Sequence, residues 1–293
     1  MIERYLLIAS VFIPIIGSCT LPIIGRFSER IRNFTALGCI LASLVASLLM
    51  IPSALKGAVP AIHIDLPLGC NFVLTADILA LFMAVVSSFI GAIIIFYSFD
   101  YISHYDNRNE YYFMAVLFLG AMMGLVFSAN LVFLYLFWEI TAIASWRLIG
   151  FFREKEQVQK ADKAFLVTVA GAFMMLIGFV YLYQKAGSFD LSAIKQAFAS
   201  QPIPDIVVAL ILIGILTKSA TLPFHTWLPD AGVAPSPVTA LLHAAVLVKI
   251  GVYVFARLFI TTFTISAVWH TVVPVIPAVS ALVSAGAALV ATD

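Results

Sequence analysis

Residues 209–230 read ALILIGILTKSATLPFHTWLPD. An apolar run carries one lysine, Lys218, and is then punctuated by Pro223 and Pro229. Ionisable groups inside a bilayer cost from ~2.5 to above ~10 kcal/mol unless they are paired or hydrated, so a lysine there demands a reason. Pro223 has no backbone donor and blocks the carbonyl four residues earlier, which belongs to Ser219, next to Lys218. Thr217, Ser219 and Thr221 add hydroxyls at the same place. A broken helix with free backbone groups is tolerated in a membrane only where it faces protein or water. Lysine is also the cation that most readily gives up its proton on burial. The stretch therefore reads as a membrane span interrupted between Lys218 and Trp227. Lys218 is then either a proton site in the break or a side chain that snorkels to an interface.

The rest of the chain fits that reading. Of its 293 residues, 63% are hydrophobic and 11% are charged, and the mean hydropathy is +1.09. Soluble domains carry roughly a quarter charged residues, and water could not accommodate so much apolar surface. A bilayer does not penalise it. A spanning helix needs about 20 mostly apolar residues. Such runs lie near residues 5–25, 34–55, 76–99, 111–128, 130–151, 164–184, 205–222, 237–260 and 266–291. The predicted fold is an all-α polytopic transmembrane helix bundle of about nine spans with a broken seventh helix. Residues 1–293 form a single membrane domain, with no soluble domain or linker. The first apolar run, which lacks a clear cleavage motif, reads as a retained span. Residues 56–75 are punctuated by Pro and Gly and read as an extended outer loop. In residues 188–200, Leu191, Ile194 and Phe198 share one helical face, as in a short amphipathic surface helix.

Basic residues set the expected orientation. Arg26, Arg30 and Arg32 follow span one, Arg108 follows span three, and Arg153, Lys155, Lys160 and Lys163 follow span five. All fall on one side. Arg4, Lys56, Lys185, Lys195 and Arg257 are spread more thinly on the other. The positive-inside rule then puts the N-terminus outside, and the loop after span five and the C-terminus inside. The net charge of +1 and the lack of a basic run argue against a nucleic-acid partner. Cys19, Cys39 and Cys70 are too scattered for a metal or iron–sulfur site, so no metal and no cofactor is expected.

Three further titratable residues lie deep in spans. Glu139 sits in LVFLYLFWEITAIASW, residues 131–146. Arg147, eight positions on, shares its helix face about two turns away. Glu139 is then either half of a structural ion pair or a carboxylate that tunes the proton affinity of a nearby lysine. His243 and Lys249 lie in VTALLHAAVLVKIGVYVFAR, residues 238–257, about a third of a turn apart around the helix. A histidine suits proton relay, and equally serves as a hydrogen-bonded structural group. His225 would align with Lys218 only in an unbroken helix. Asp230 reads as turn and cap chemistry.

The run TKSATLPFHTWLPDAGVAPSPVTALLHAAVLVKIGVY, residues 217–253, resembles the signature of proton-conducting antiporter-like membrane subunits. These occur in respiratory complex I, membrane-bound hydrogenases and Mrp-type Na⁺/H⁺ antiporters. LFWEITAIASWRLIGF, residues 136–151, resembles the glutamate helix of the same family. The joint presence of His243 and Lys249 is closer to the Mrp and hydrogenase-linked members than to the distal complex I subunit. The resemblance implies proton-transfer roles for Glu139, Lys218, Lys249 and His243, with separation of the glutamate from the lysine driving the proton step. It also implies three opening helices over residues 1–110, a first five-helix repeat over 111–260 and the start of a second over 261–293. Family members usually continue beyond the point where this sequence ends at ALVATD. In FLVTVAGAFMMLIG, Val169 and Ala172 stand where some members have Arg and Asp, which weakens an ion-binding role for that helix.

The function so implied is a proton-translocating or Na⁺/H⁺ antiporter-like subunit of a redox-linked respiratory or hydrogenase complex, itself without redox chemistry. Its expected surroundings are the lipid bilayer of a prokaryotic plasma membrane and other membrane subunits, including one that supplies the second repeat. The alternatives are a structural or assembly subunit with a non-conducting half-channel, and a stand-alone secondary ion transporter. The absent second repeat disfavours the last, because alternating access normally uses both repeats.

Overall fold

The computed structural model of the chain describes residues 2–291. Met1, Thr292 and Asp293, which the single-domain reading included, lie outside the described residues. Helices α1 (Ile2–Phe27) and α2 (Glu29–Leu55) form a hairpin that packs on α4 (Arg108–Phe127). They are followed by strands β1 (Ala61–Ile64) and β2 (Phe72–Thr75) and helix α3 (Ile78–Tyr101). Helices α5 (Leu131–Ile149) and α6 (Lys155–Ala186) come next, and the short α7 (Leu191–Ala197) crosses over to α8 (Asp205–Lys218). After α9 (Trp227–Asp230), the eighth span is assembled from α10 (Ser236–Thr239), a π-helical turn at Ala240–Ala245, α11 (Leu247–Phe255) and a second π turn at Ala256–Ile260. Helix α12 (Ala267–Val290) ends the described chain. Eight helical segments among the described residues are long and apolar enough to cross a membrane. The 14-residue α8 adds the shortened seventh pass. This is a polytopic transmembrane helix bundle.

Short polar residues set the helix starts. Ser28, Asp77 and Asn130 take extended backbone angles, and their side chains accept from the amides of Ile31, Ala80 and Val132. Gly187, left-handed at φ 68°, ends α6. The segment read as an extended loop is an antiparallel hairpin, in register from Ala61↔Thr75 to Ile64↔Phe72. It is clasped to the α4–α5 turn, since Ala129 N donates to Val73 O at 2.9 Å. The approach to α7 joins the clasp. Leu131 N donates to Phe189 O, and Leu191 N to Ala129 O, each at 2.9 Å. The buried Asp190 accepts from Asn130 Nδ2 at 2.7 Å and Asn71 Nδ2 at 2.8 Å. As the spacing predicts, α7 buries Leu191 and Ile194, with Phe198 just beyond its end.

The opposite end gathers the basic loops. Arg108 pairs with Glu29 at 2.8 Å, Arg153 with Glu110 at 2.7 Å and Lys163 with Asp230 at 2.6 Å. Asp230, expected as a simple turn residue, thus ties the chain after the break to the start of α6. The loops after spans one, three and five therefore share one end of the bundle.

In a membrane, close helix contact depends on small residues, because lipid is as apolar as a leucine face. Helix α8 is held this way on both sides. A Cβ on Gly171 of α6 would lie 2.0 Å from Thr217 Oγ1, and one on Gly214 of α8 would lie 2.6 Å from Met175 Cβ and 2.9 Å from Gly171 O. On the other flank, a Cβ on Gly251 of α11 would meet Ser219 Oγ at 2.0 Å and Ile215 O at 2.7 Å. The backbone oxygen cannot rotate away. By contrast, none of the residues of α12 is buried.

Three outcomes are expected. Gly251→Ala should overpack the α8–α11 crossing by about 1–3 kcal/mol and lower the melting temperature of the purified protein. Gly38→Ala, with nothing within 4 Å of the new methyl, should leave the melting temperature unchanged or slightly raised. A cysteine introduced at Glu154 should react with an impermeant maleimide in inverted vesicles and not in intact cells. Labelling in intact cells would reverse the orientation.

Candidate functional site

Helix α8 stops at Lys218, and residues 219–226 form irregular turns before the chain resumes as α9. Ala220 adopts a positive φ of 51° at the break, a conformation uncommon for residues with a Cβ. Several of the freed backbone groups find partners in protein. Thr217 O accepts from the indole Nε1 of the buried Trp227 at 2.9 Å. Leu216 O accepts from Thr221 N at 3.0 Å, one residue beyond helical spacing. Leu222 N donates to Ser280 Oγ of α12 at 2.9 Å. The interruption expected from Pro223 is therefore present, and the span ends at Lys218, earlier than the predicted 222.

Lys218 sits at the last residue of α8 with none of its surface exposed. It does not snorkel. Its Nζ donates to Trp138 O of α5 at 3.3 Å and lies 5.3 Å from the centre of the Trp138 ring, a cation–π distance. Trp138 precedes Glu139, so the same turn of α5 brings the carboxylate within electrostatic reach of the ammonium. The two groups are not in ion-pair contact: among the described residues, no carboxylate oxygen lies within 4.0 Å of Lys218 Nζ.

Glu139 is half-buried, and its Oε1 has no hydrogen-bond partner in the protein. Pairing with Arg147, one of the two readings of the sequence, does not occur. Arg147 instead holds Glu110 of α4, through Nε at 2.8 Å and a terminal nitrogen at 2.5 Å. Glu110 also receives Arg153, so this carboxylate absorbs both guanidinium groups near the end of α5. Lys218 is left as the charge that Glu139 faces.

On the eighth span, Lys249 Nζ donates to the backbone oxygen of His243 at 2.8 Å. The π turn sets that carbonyl outside the regular helical pattern, and Lys249 caps it. His243 and Lys249 are thus joined through backbone rather than through the imidazole, whose buried Nε2 has no protein partner. Ser219 Oγ and His225 Nδ1 are in the same condition at the break. Buried polar atoms without protein partners are the places where bridging water satisfies the accounting.

Glu139 and Lys218 are therefore brought together, and His243 and Lys249 are brought together. Lys218 and the His243–Lys249 pair sit on neighbouring helices that meet at Gly251, against Ile215 and Ser219. Sequence reasoning missed Trp138 and Trp227, the aromatic groups that hold the lysine and the broken end. It also placed Arg257 among loop charges. Arg257 is buried and grips Asp77 and Tyr253. The available signal was Asp77 itself, a cap residue directly before an apolar run.

The chain is similar to known membrane proteins. The family model described as "NADH:quinone oxidoreductase/Mrp antiporter, TM" matches residues 128–293, and that described as "NADH-Ubiquinone oxidoreductase (complex I), chain 5 N-terminus" matches residues 65–113. The Na(+)/H(+) antiporter subunit A1 of Staphylococcus aureus is 37% identical over 260 residues, 86% of this chain and 32% of that protein. The chain thus spans about a third of the length of the curated relatives it matches. Among solved structures, a chain of the Mrp complex from Dietzia sp. superposes with a TM-score of 0.76 at 29% identity, over 86% of this chain and 28% of that one. A chain of the membrane-bound sulfane sulfur reductase, an archaeal respiratory membrane complex, shares the fold with a TM-score of 0.81 at 20% identity, over 92% and 56%. With more than half of its length matched by the first family model, the chain belongs to the NADH:quinone oxidoreductase/Mrp antiporter transmembrane family.

Proposed function

We propose that this chain provides a proton-translocating, Na⁺/H⁺ antiporter-like half-channel to a multisubunit complex in a prokaryotic plasma membrane. The observation that carries this reading is Lys218: fully buried, at the end of an interrupted helix, facing Glu139 without an ion-pair contact. A purely structural lysine would be expected to close on its carboxylate or reach an interface. One held at intermediate range answers to small changes in distance, because the Coulomb energy of buried charges varies steeply with separation. With Glu139 near, the ammonium is favoured. With Glu139 drawn away, an unpaired buried charge is costly and release of the proton is favoured.

In this proposal Glu139 sets the charge state of Lys218, and the proton passes by ordered water to His243 and Lys249. The partnerless atoms Glu139 Oε1, Ser219 Oγ and His243 Nε2 support such a water path. Residues 1–110 act as the opening three helices, 111–260 as the first repeat and 261–293 as the start of a second. A neighbouring chain or segment would supply the remaining helices, and the electron-transfer or gradient-forming chemistry belongs to the assembly. The similarity to an antiporter subunit and to a chain of the Mrp complex supports this reading.

Lys218→Ala should abolish ion-coupled proton movement in energised vesicles while leaving assembly near normal. Glu139→Gln should lower it strongly, Glu139→Asp less so, and Lys249→Ala should stop transfer beyond the first site. Normal transport by well-assembled Lys218→Ala would refute the mechanism. Equal loss of assembled complex in every variant would favour buried scaffolding instead. Separately, Trp227→Phe removes the indole donor from Thr217 O, which keeps only the longer bond from Ala220 N at 3.3 Å, at a cost of about 1 kcal/mol. It should lower thermal stability and transport together, and the cavity left by the smaller ring adds to the loss of stability.

A further inference from the structure

At the far end of the eighth span, a second buried polar cluster has a different character. Arg257 and Tyr253 lie one helical turn apart, and Tyr253 lies one turn beyond Lys249. The guanidinium of Arg257 grips the Asp77 carboxylate with both terminal nitrogens, one of them at 2.9 Å from Oδ1. Its Nε and one terminal nitrogen also donate to Tyr253 Oη, at 3.0 and 2.8 Å. Tyr253 in turn donates its own proton to Val126 O in the last turn of α4. Arg257 is 6% exposed and Tyr253 2%, whereas the Asp77 side chain is 33% exposed at the start of α3. The line therefore runs from the half-buried Lys249 to a carboxylate that opens on the hairpin end of the bundle.

A proton relay needs groups that both accept and donate. This line has none free to do so. Arginine has five donors, no acceptor and no accessible neutral form. Tyr253 Oη already receives two N–H groups, and its single proton is committed to a backbone oxygen. A buried guanidinium is also an electrostatic barrier to a passing proton or cation.

We propose that Tyr253, Arg257 and Asp77 form a proton-tight plug that closes the hairpin end of the bundle to protons from the Lys249 region. The proposal rests on the proton-handling reading of Lys249 for its purpose, though not for its physical effect. A plug at this end forces protons that reach Lys249 to continue sideways within the membrane rather than to escape directly.

The test is passive proton leak. Vesicles containing the full assembly and a trapped pH dye receive a potassium diffusion potential, with no redox or sodium drive, and leak is normalised to assembled protein. Arg257→Gln and Arg257→Lys should leak several-fold faster than the parent, since neither offers the four N–H donations that Arg257 makes to Asp77 and Tyr253. The double variant Arg257→Met, Asp77→Leu replaces the pair by apolar contacts and should return to the parental rate. Parental tightness in both single variants would overturn the plug. So would a double variant as leaky as the singles, because packing damage would then explain the leak. Adding Lys249→Ala to Arg257→Gln separates the two readings. A leak that disappears supports both the plug and the path through Lys249, and one that persists supports the plug while removing Lys249 from the path.

Discussion

A peptide group in a bilayer must find its hydrogen bond within the protein, and this requirement governs the middle of the molecule. Once Pro223 prevents α8 from continuing, the carbonyls at its end must be met by something other than the next helical turn. Trp227 meets Thr217 O, and α12 meets Leu222 N through Ser280. The break can exist only because neighbouring elements close around it. That closure is what keeps Lys218 away from lipid and water alike, against the face of Trp138 and within the field of Glu139. The glycines that flank α8 serve the same end, since an ordinary side chain at Gly171 or Gly251 would push the neighbouring helices off the broken segment.

Much of this was legible in the sequence, because membrane helices announce themselves by unbroken apolar length. The spans, the interruption after Lys218 and the buried face of α7 follow from local patterns. What stayed hidden were choices between distant partners. Arg147 lies on the same helix face as Glu139, yet it takes Glu110, 37 positions away, because α4 and α5 pack side by side. Arg257 looks like an interfacial charge until the start of α3, 180 positions earlier, delivers Asp77 to it. Periodicity also gave no hint that the eighth span winds through two π turns, since the hydrophobic pattern tolerates one extra residue per turn.

The polar residues inside the bundle fall into two physical classes. At Glu139, Ser219 and His243, buried polar atoms have no partner in the protein, a setting that bridging water can satisfy. Around Arg257 and around Asp190, hydrogen bonds are saturated and the parts are fixed. One chain thus carries a loose polar centre in the bundle and two tight clusters at the hairpin end.

The proposed role of Glu139, to set the charge on Lys218 across a gap rather than through a fixed ion pair, is open to direct measurement. Nitrogen NMR of ¹⁵N-lysine-labelled complex reads the charge state of each Nζ directly, with Lys218 assigned from the signal lost in Lys218→Arg. An ammonium signal is expected for Lys218 in the parent, with a shift of population towards neutral amine in Glu139→Gln at the same pH. An unchanged ammonium signal in Glu139→Gln would contradict it.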